Sequence, residues 1–143
     1  MKINLKDKKI LVTGGAGFLG KHVVKKLLEH GVLKKNITIP RSKDCDLRKW
    51  ENCQKAVKGR HVVIHLAANN GSISYNINQP GDLFFDNITM DTHMIEAARQ
   101  AKVQKFVAIG SICSYPKLAP MPLNETDFWN GYPEETNADY GFA

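Results

Sequence analysis

Apolar, β-branched runs alternate along this chain with stretches whose apolar residues recur every third or fourth position. Lys9-Ile10-Leu11-Val12-Thr13 is a short run ending in glycines and predicts a buried strand. Leu19, Val23, Val24, Leu27 and Leu28 follow at helical spacing, with Gly31 as the stop. Asn36-Ile37-Thr38-Ile39 reads as a second strand, cut off by Pro40. Asp46 stands where a cap would, ahead of a helix whose apolar side is Leu47, Trp50, Ala56 and Val57, with Gly59 behind it. His61-Val62-Val63-Ile64-His65-Leu66 predicts a third strand, followed by a polar loop from Asn69 to about Pro80. A helix is expected over much of Leu83–Ala101, with Met94, Ile95, Ala98 and Ala101 on one side, and Lys105-Phe106-Val107-Ala108-Ile109 is a fourth strand. Beyond Gly110 the chain is rich in Pro, Tyr, Asn and acids and reads as a long functional loop.

Strand–helix alternation of this kind requires right-handed crossovers and a parallel sheet covered on both faces. The expected fold class is α/β: a Rossmann-type doubly wound sheet with strand order 3-2-1-4, the N-terminal part of such a fold, ending before a substrate domain. The 143 residues fit one domain, residues 1–143. A composition of 43% hydrophobic and 24% charged residues is that of an ordinary globular chain. No apolar run approaches the roughly 18 residues of a membrane span, and the start, MKINLKDKK, is too polar for a signal peptide. Cys45, Cys53 and Cys113 are odd in number and lack CxxC spacing, which favours free thiols and a cytoplasmic setting. His22, His30, His61, His65 and His93 have no ligand-like spacing, so no metal is expected.

The net charge of +6 is unevenly spread. Residues 1–60 carry 16 of the 20 Lys and Arg against 5 of the 14 acids, a surplus of 11, and the remainder has a balance of −5. No dense basic run with interleaved aromatics is present, so these lysines read as solvated helix faces rather than a nucleic-acid surface. A phosphate-rich cofactor would need only a few of them.

Thr13-Gly14-Gly15-Ala16-Gly17-Phe18-Leu19-Gly20 places glycines at 14, 17 and 20 between the first strand and the first helix. A tight strand-to-helix turn needs the first, a diphosphate approaches backbone only where a side chain is missing, and the third permits close packing. The helix start then offers free N–H groups and a partial positive charge. In this context the pattern predicts a dinucleotide site. Pro40-Arg41-Ser42-Lys43 closes the second strand with no acid before Asp44, which favours NADP(H) and leaves NAD possible.

With the glycine turn, Asp46-Leu47 and His65-Leu66-Ala67-Ala68, the chain resembles the extended short-chain dehydrogenase/reductases, the NAD(P)-dependent epimerase/dehydratase family. The segments Gly110-Ser111-Ile112-Cys113-Ser114-Tyr115-Pro116-Lys117 and Asn130-Gly131-Tyr132-Pro133-Glu134-Glu135-Thr136-Asn137-Ala138-Asp139-Tyr140 resemble its GDP-L-fucose synthase branch. The resemblance implies that Gly14, Gly17, Phe18, Leu19, Gly20, Arg41, Asp46, Leu47, Leu66, Ala67, Ala68 and Tyr140 meet the cofactor. It implies catalytic roles for Tyr140 as proton donor to a sugar C4 oxygen, Ser111 as its hydrogen-bonding partner and Cys113 as the group exchanging protons at C3 and C5. A thiol suits that exchange because its ordinary pKa lies near operating pH. The family pairs its tyrosine with a lysine one helical turn on, here position 144, so this polypeptide is expected to bind cofactor weakly and turn nothing over. Asn87 matches a structural asparagine of the family, and His65 reads as structural. The implied substrate is a nucleotide-linked sugar, and the implied assembly is a homodimer through the Leu83–Ala101 helix. Two other readings remain: a different sugar-nucleotide epimerase or dehydratase holding NAD, and a non-catalytic dinucleotide-binding module.

Overall fold

Burial along the strands shows which of them is central. In the computed structural model, which describes residues 4–143, strand β1 (Ile10–Thr13) has no exposed surface at any position. It pairs in parallel with β2 (Ile37–Thr38) on one side and β3 (Val62–His65) on the other, and β3 pairs in parallel with β4 (Lys105–Ala108). The order across the sheet is β2-β1-β3-β4. The sheet is parallel and α/β as expected, but the third strand does not lie outside the second as an order of 3-2-1-4 requires. The physical reason is burial. Val62, Val63 and His65 are buried and need a neighbour on each side, whereas β2 is two half-buried residues closed by Pro40, too short a ladder to carry another strand.

Alternation along the central strands sends side chains to two cores. Leu11 and Val63 pack with Cys53 and Val57 of helix α2 (Trp50–Val57) and with Met94, Ala97 and Ala98 of helix α4 (Pro80–Gln100). Ile10, Val12 and Val62 point the other way, to Leu27 of helix α1 (Phe18–Glu29) and to Val32. One face is therefore covered by α1 and the other by α2 and α4, the doubly wound arrangement.

Local chemistry corrects two expectations. Asp46 does not cap α2: the cap position is Lys49, which makes no side-chain bond to the helix. Two residues before Arg48, the Asp46 carboxylate instead wraps onto that residue's backbone N–H and guanidinium, at 3.0 Å each. The polar stretch after Asn69 is not all loop, because Ser72 caps a short helix, α3 (Ile73–Asn78), by accepting from the Tyr75 N–H. Past β4, the acid- and proline-rich stretch forms 3₁₀ turns at Ile112–Ser114, Glu125–Asp127 and Glu135–Asn137, then helix α5 (Ala138–Phe142).

The chain divides into two compact units. A sheet unit comprises the residues up to 68 with 90–109, and a loop unit comprises 69–89 with 110–143. Among the described residues no helix is long and apolar enough to cross a membrane.

Candidate functional site

In the sheet unit the glycine turn is shaped by what its glycines lack. Gly14 has φ 64°, the left-handed region that disfavours side chains, and a Cβ there would lie 2.8–2.9 Å from the Leu66 carbonyl and the Ala67 nitrogen. The segment after β3 thus lies directly against the turn. A Cβ on Gly20 would overlap the Gly14 carbonyl oxygen and crowd Gly15, so the first turn of α1 packs on the loop that precedes it. Gly17 is the cap residue of α1, and its N–H closes the loop onto the Gly14 carbonyl at 2.9 Å. No acid stands in the first helical turn, and Phe18 and Leu19 are exposed. The result is a bare-backbone ledge at the positive end of a helix, the geometry an anionic diphosphate requires.

Behind that ledge a buried hydroxyl acts as a junction. Thr13 Oγ1 accepts from the backbone N–H groups of Leu66 and Ala67, both at 3.1 Å, and lies 2.6 Å from His65 Nδ1. With both lone pairs engaged, the hydroxyl proton is donated to Nδ1, which leaves Nε2 as the protonated nitrogen, donating to Asp91 Oδ1 at 2.8 Å. His65 is therefore structural, as the sequence reading holds. Its role is to fix the Leu66–Ala67 segment, whose next residue, Ala68, is exposed. Sequence reasoning did not single out Thr13, because its partners lie more than fifty positions away.

Around α2 the neighbouring residues are partly committed. Leu47 is buried, and its carbonyl accepts from the Cys53 thiol at 3.0 Å. Burial pushes Cys53 up to about 12, with smaller contributions from Cys45 and Asp46, and burial also pushes Cys45 up. Neither thiol is primed for chemistry. The Arg48 guanidinium holds the Asp46 carboxyl below the usual range. Arg41 is exposed three residues past β2. Ile39 packs against Gly15, where a Cβ would meet its side chain at 2.9 Å, so the end of β2 adjoins the glycine turn.

The remaining predicted residues assemble within the loop unit. Ser111 caps the 3₁₀ turn that follows β4, its Oγ accepting from the Cys113 N–H at 3.1 Å, which leaves the hydroxyl proton available. Cys113 is half-buried and free. Helix α5, which carries Tyr140, packs on this turn: Ser114 Oγ donates to the Gly141 carbonyl at 2.7 Å, and a Cβ on Gly141 would overlap the Cys113 carbonyl oxygen. Ser111, Cys113 and Tyr140 are thus brought to one small element pair. The approach to α5 is fixed by the Glu134 carboxylate, which accepts from the Thr136 N–H, the Thr136 hydroxyl and Asn137 Nδ2. Asn137 Oδ1 in turn accepts from Asn76 Nδ2 of α3 at 3.0 Å. These bonds, led by that from the Thr136 hydroxyl, hold the Glu134 carboxyl below its usual range. Asn87 is buried and clamps the backbone of Asn69 from both sides, accepting from its N–H and donating to its carbonyl, each at 2.7 Å. Sequence alone gives no role to Gly141 or Asn76, and none to Glu134 beyond its place in the Asn130–Tyr140 segment; a polar residue or a glycine shows no periodicity that would betray its partner. Among the described residues no group of His, Cys, Asp or Glu is placed to hold a metal ion.

A parallel doubly wound sheet, with a bare glycine turn between its central strand and first helix, defines a Rossmann-type dinucleotide-binding architecture. The NAD dependent epimerase/dehydratase family matches residues 10–143, and the chain belongs to that family. It is 34% identical over 142 residues to GDP-L-fucose synthase 1 of Arabidopsis thaliana, covering 96% of this chain and 43% of that protein. It is 32% identical over 137 residues to GDP-L-fucose synthase of Dictyostelium discoideum, covering 94% and 42%. The crystal structure of a GDP-L-fucose synthetase from Naegleria fowleri bound to NADP superposes with a TM-score of 0.79 at 29% identity, covering 96% of this chain and 44% of that one. The chain thus spans a little over two fifths of the length of the curated relatives it matches.

Proposed function

We propose that residues 1–143 form the nucleotide-binding domain of an NADP(H)-dependent epimerase/reductase acting on a nucleotide-linked 4-keto-6-deoxy sugar, converting GDP-4-keto-6-deoxy-D-mannose to GDP-L-fucose or a close analogue. The observation that carries this reading is the glycine ledge, where every Cβ-bearing substitute at Gly14 or Gly20 would fill space or strike backbone. Similarity at 32–34% identity to two GDP-L-fucose synthases supports the sugar class. Gly14, Gly17, Phe18, Leu19 and Gly20 would hold the diphosphate, Leu66, Ala67 and Ala68 would line its far side, and exposed Arg41 would meet a 2′-phosphate. Asp46 and Leu47 would border the adenine end. When bound, the nicotinamide cofactor supplies hydride to the sugar carbonyl carbon.

The chain's own residues would manage protons. Tyr140 gives its phenolic proton to the C4 oxygen, and Ser111, whose hydroxyl proton is not used by the turn, donates a hydrogen bond to the same oxygen. Cys113 withdraws and returns protons at the carbons flanking the ketone. Three free cysteines support a cytoplasmic setting. Exposed Phe84, Phe85 and Ile95 on α4 support self-association as a homodimer.

Gly17→Ala gives the sharpest test. Its φ of −75° suits alanine and the added methyl meets only the Gly14 carbonyl oxygen, at 3.2 Å, so the fold is kept while the ledge is obstructed. Fluorescence titration should show saturable NADPH binding by the wild-type chain, weakened at least about tenfold by this substitution, the worth of one or two lost hydrogen bonds to a charged group. Equal binding by both forms removes the reading.

A further inference from the structure

We infer that Ser114 and Gly141 are positioning residues that set Tyr140 against the Ser111–Cys113 turn, an inference that rests on the reading of those three groups as the reacting ones. Helix α5 has five residues and no side-chain cap at Asn137, too little to hold itself in place. Its position must come from tertiary contacts, and two of them converge on the adjacent residues Cys113 and Ser114. On one side Ser114 Oγ tethers α5 by donating to the Gly141 carbonyl at 2.7 Å. On the other, the Cys113 carbonyl is a wall against which only a residue without a side chain fits: a Cβ at 141 would overlap its oxygen, lie 2.8 Å from its carbon and 3.2 Å from the Ser114 nitrogen.

Tyr140 immediately precedes Gly141, so the tether and the wall together fix its Cα relative to the turn. The turn is itself rigid, with the Cys113 N–H bound by Ser111 Oγ and the Ser114 N–H reaching the Ser111 carbonyl at 3.2 Å. Neither positioning residue reaches a substrate. Gly141 has no side chain, and the Ser114 hydroxyl proton is already engaged by Gly141. Their effect passes through Tyr140 and Cys113.

The test uses the 143-residue chain with its tyrosines labelled at ¹³Cζ, the Tyr140 resonance being assigned with Tyr140→Phe. Ser114→Ala should move that resonance, leave Tyr75 in place, and raise the rate of Cys113 alkylation by iodoacetamide roughly fivefold, the factor one neutral hydrogen bond carries. Ser114→Thr should restore both readings, and Gly141→Ala should exceed Ser114→Ala in both. NADPH affinity, measured on the same samples, should fall far less in Ser114→Ala than in Gly17→Ala because the glycine turn is untouched. An unchanged Tyr140 resonance and Cys113 alkylation rate in both Ser114→Ala and Gly141→Ala overturns the inference. Absence of NADPH binding by the wild-type chain would overturn the functional reading instead, with the Tyr140 response still deciding the positioning role.

Discussion

The two units of this chain are stabilised by different means. In the sheet unit, Ile10, Leu11, Val12 and Val63 have no exposed surface, and two apolar cores flank the strands. In the loop unit few side chains are buried, and order comes from polar bonds: Asn87 onto Asn69, Glu134 onto Thr136 and Asn137, Asn76 onto Asn137, Ser114 onto Gly141. Burial is non-directional and cooperative, whereas hydrogen bonds are directional and individually modest. The sheet unit therefore supplies a rigid ledge, and the loop unit holds the proposed reacting groups, whose placement depends on single contacts.

The largest effect that would test this contrast is Leu11→Ala, expected to cost about 3 kcal/mol in urea unfolding because it opens a cavity in the central strand. A loss below about 1 kcal/mol would mean that the core is not the source of stability. Next comes Gly14→Ala, expected to cost about 2 kcal/mol, since it combines left-handed strain with backbone contact. Gly59→Ala is the control. It shares a positive φ of 68° but has open space where its Cβ would lie, so its thermal midpoint should fall by less than half as much.

Asn87→Ala should cost about 1.5 kcal/mol by leaving buried partners unpaired, and it should speed amide exchange at Asn69 far more than in β1. Uniform acceleration across both units would erase the distinction between them. The smallest effect is a difference in pH response. The raised Cys53 thiol stabilises the sheet unit below the ordinary thiol range, and that contribution is lost as pH climbs toward about 12. Glu134 and Glu135, held low chiefly by Thr136 and Lys117, stabilise the loop unit above the ordinary carboxylate range and lose that contribution as pH falls through their depressed values. Asp46 and Glu96 give the sheet unit some acid sensitivity as well. Alkaline loosening should nonetheless appear first around α2 in amide exchange and disappear in Cys53→Ala.

The contrast also explains what was legible in the sequence. All four strands, α1, α2 and the long α4 announce themselves because burial imposes a period on apolar residues, and the glycine turn because backbone proximity imposes a residue type. Strand order is not legible, since a pattern records that Val62–His65 is buried without recording its neighbour. Helix α3, six residues with Ile73 and Ile77 among polar neighbours, is too short to show a period beyond its serine cap. The bonds from Thr13 to Leu66, from Asn76 to Asn137 and from Ser114 to Gly141 join positions 27 to 61 apart. No local rule reaches that far.

One atom in the sheet unit carries more than its size implies. With the Thr13 hydroxyl serving two amides and an imidazole, valine at that position, nearly identical in shape, would take the partner from all three, while serine would serve them all. The strand that looks most interchangeable by hydropathy thus ends in a residue whose replacement is dictated by oxygen rather than by volume.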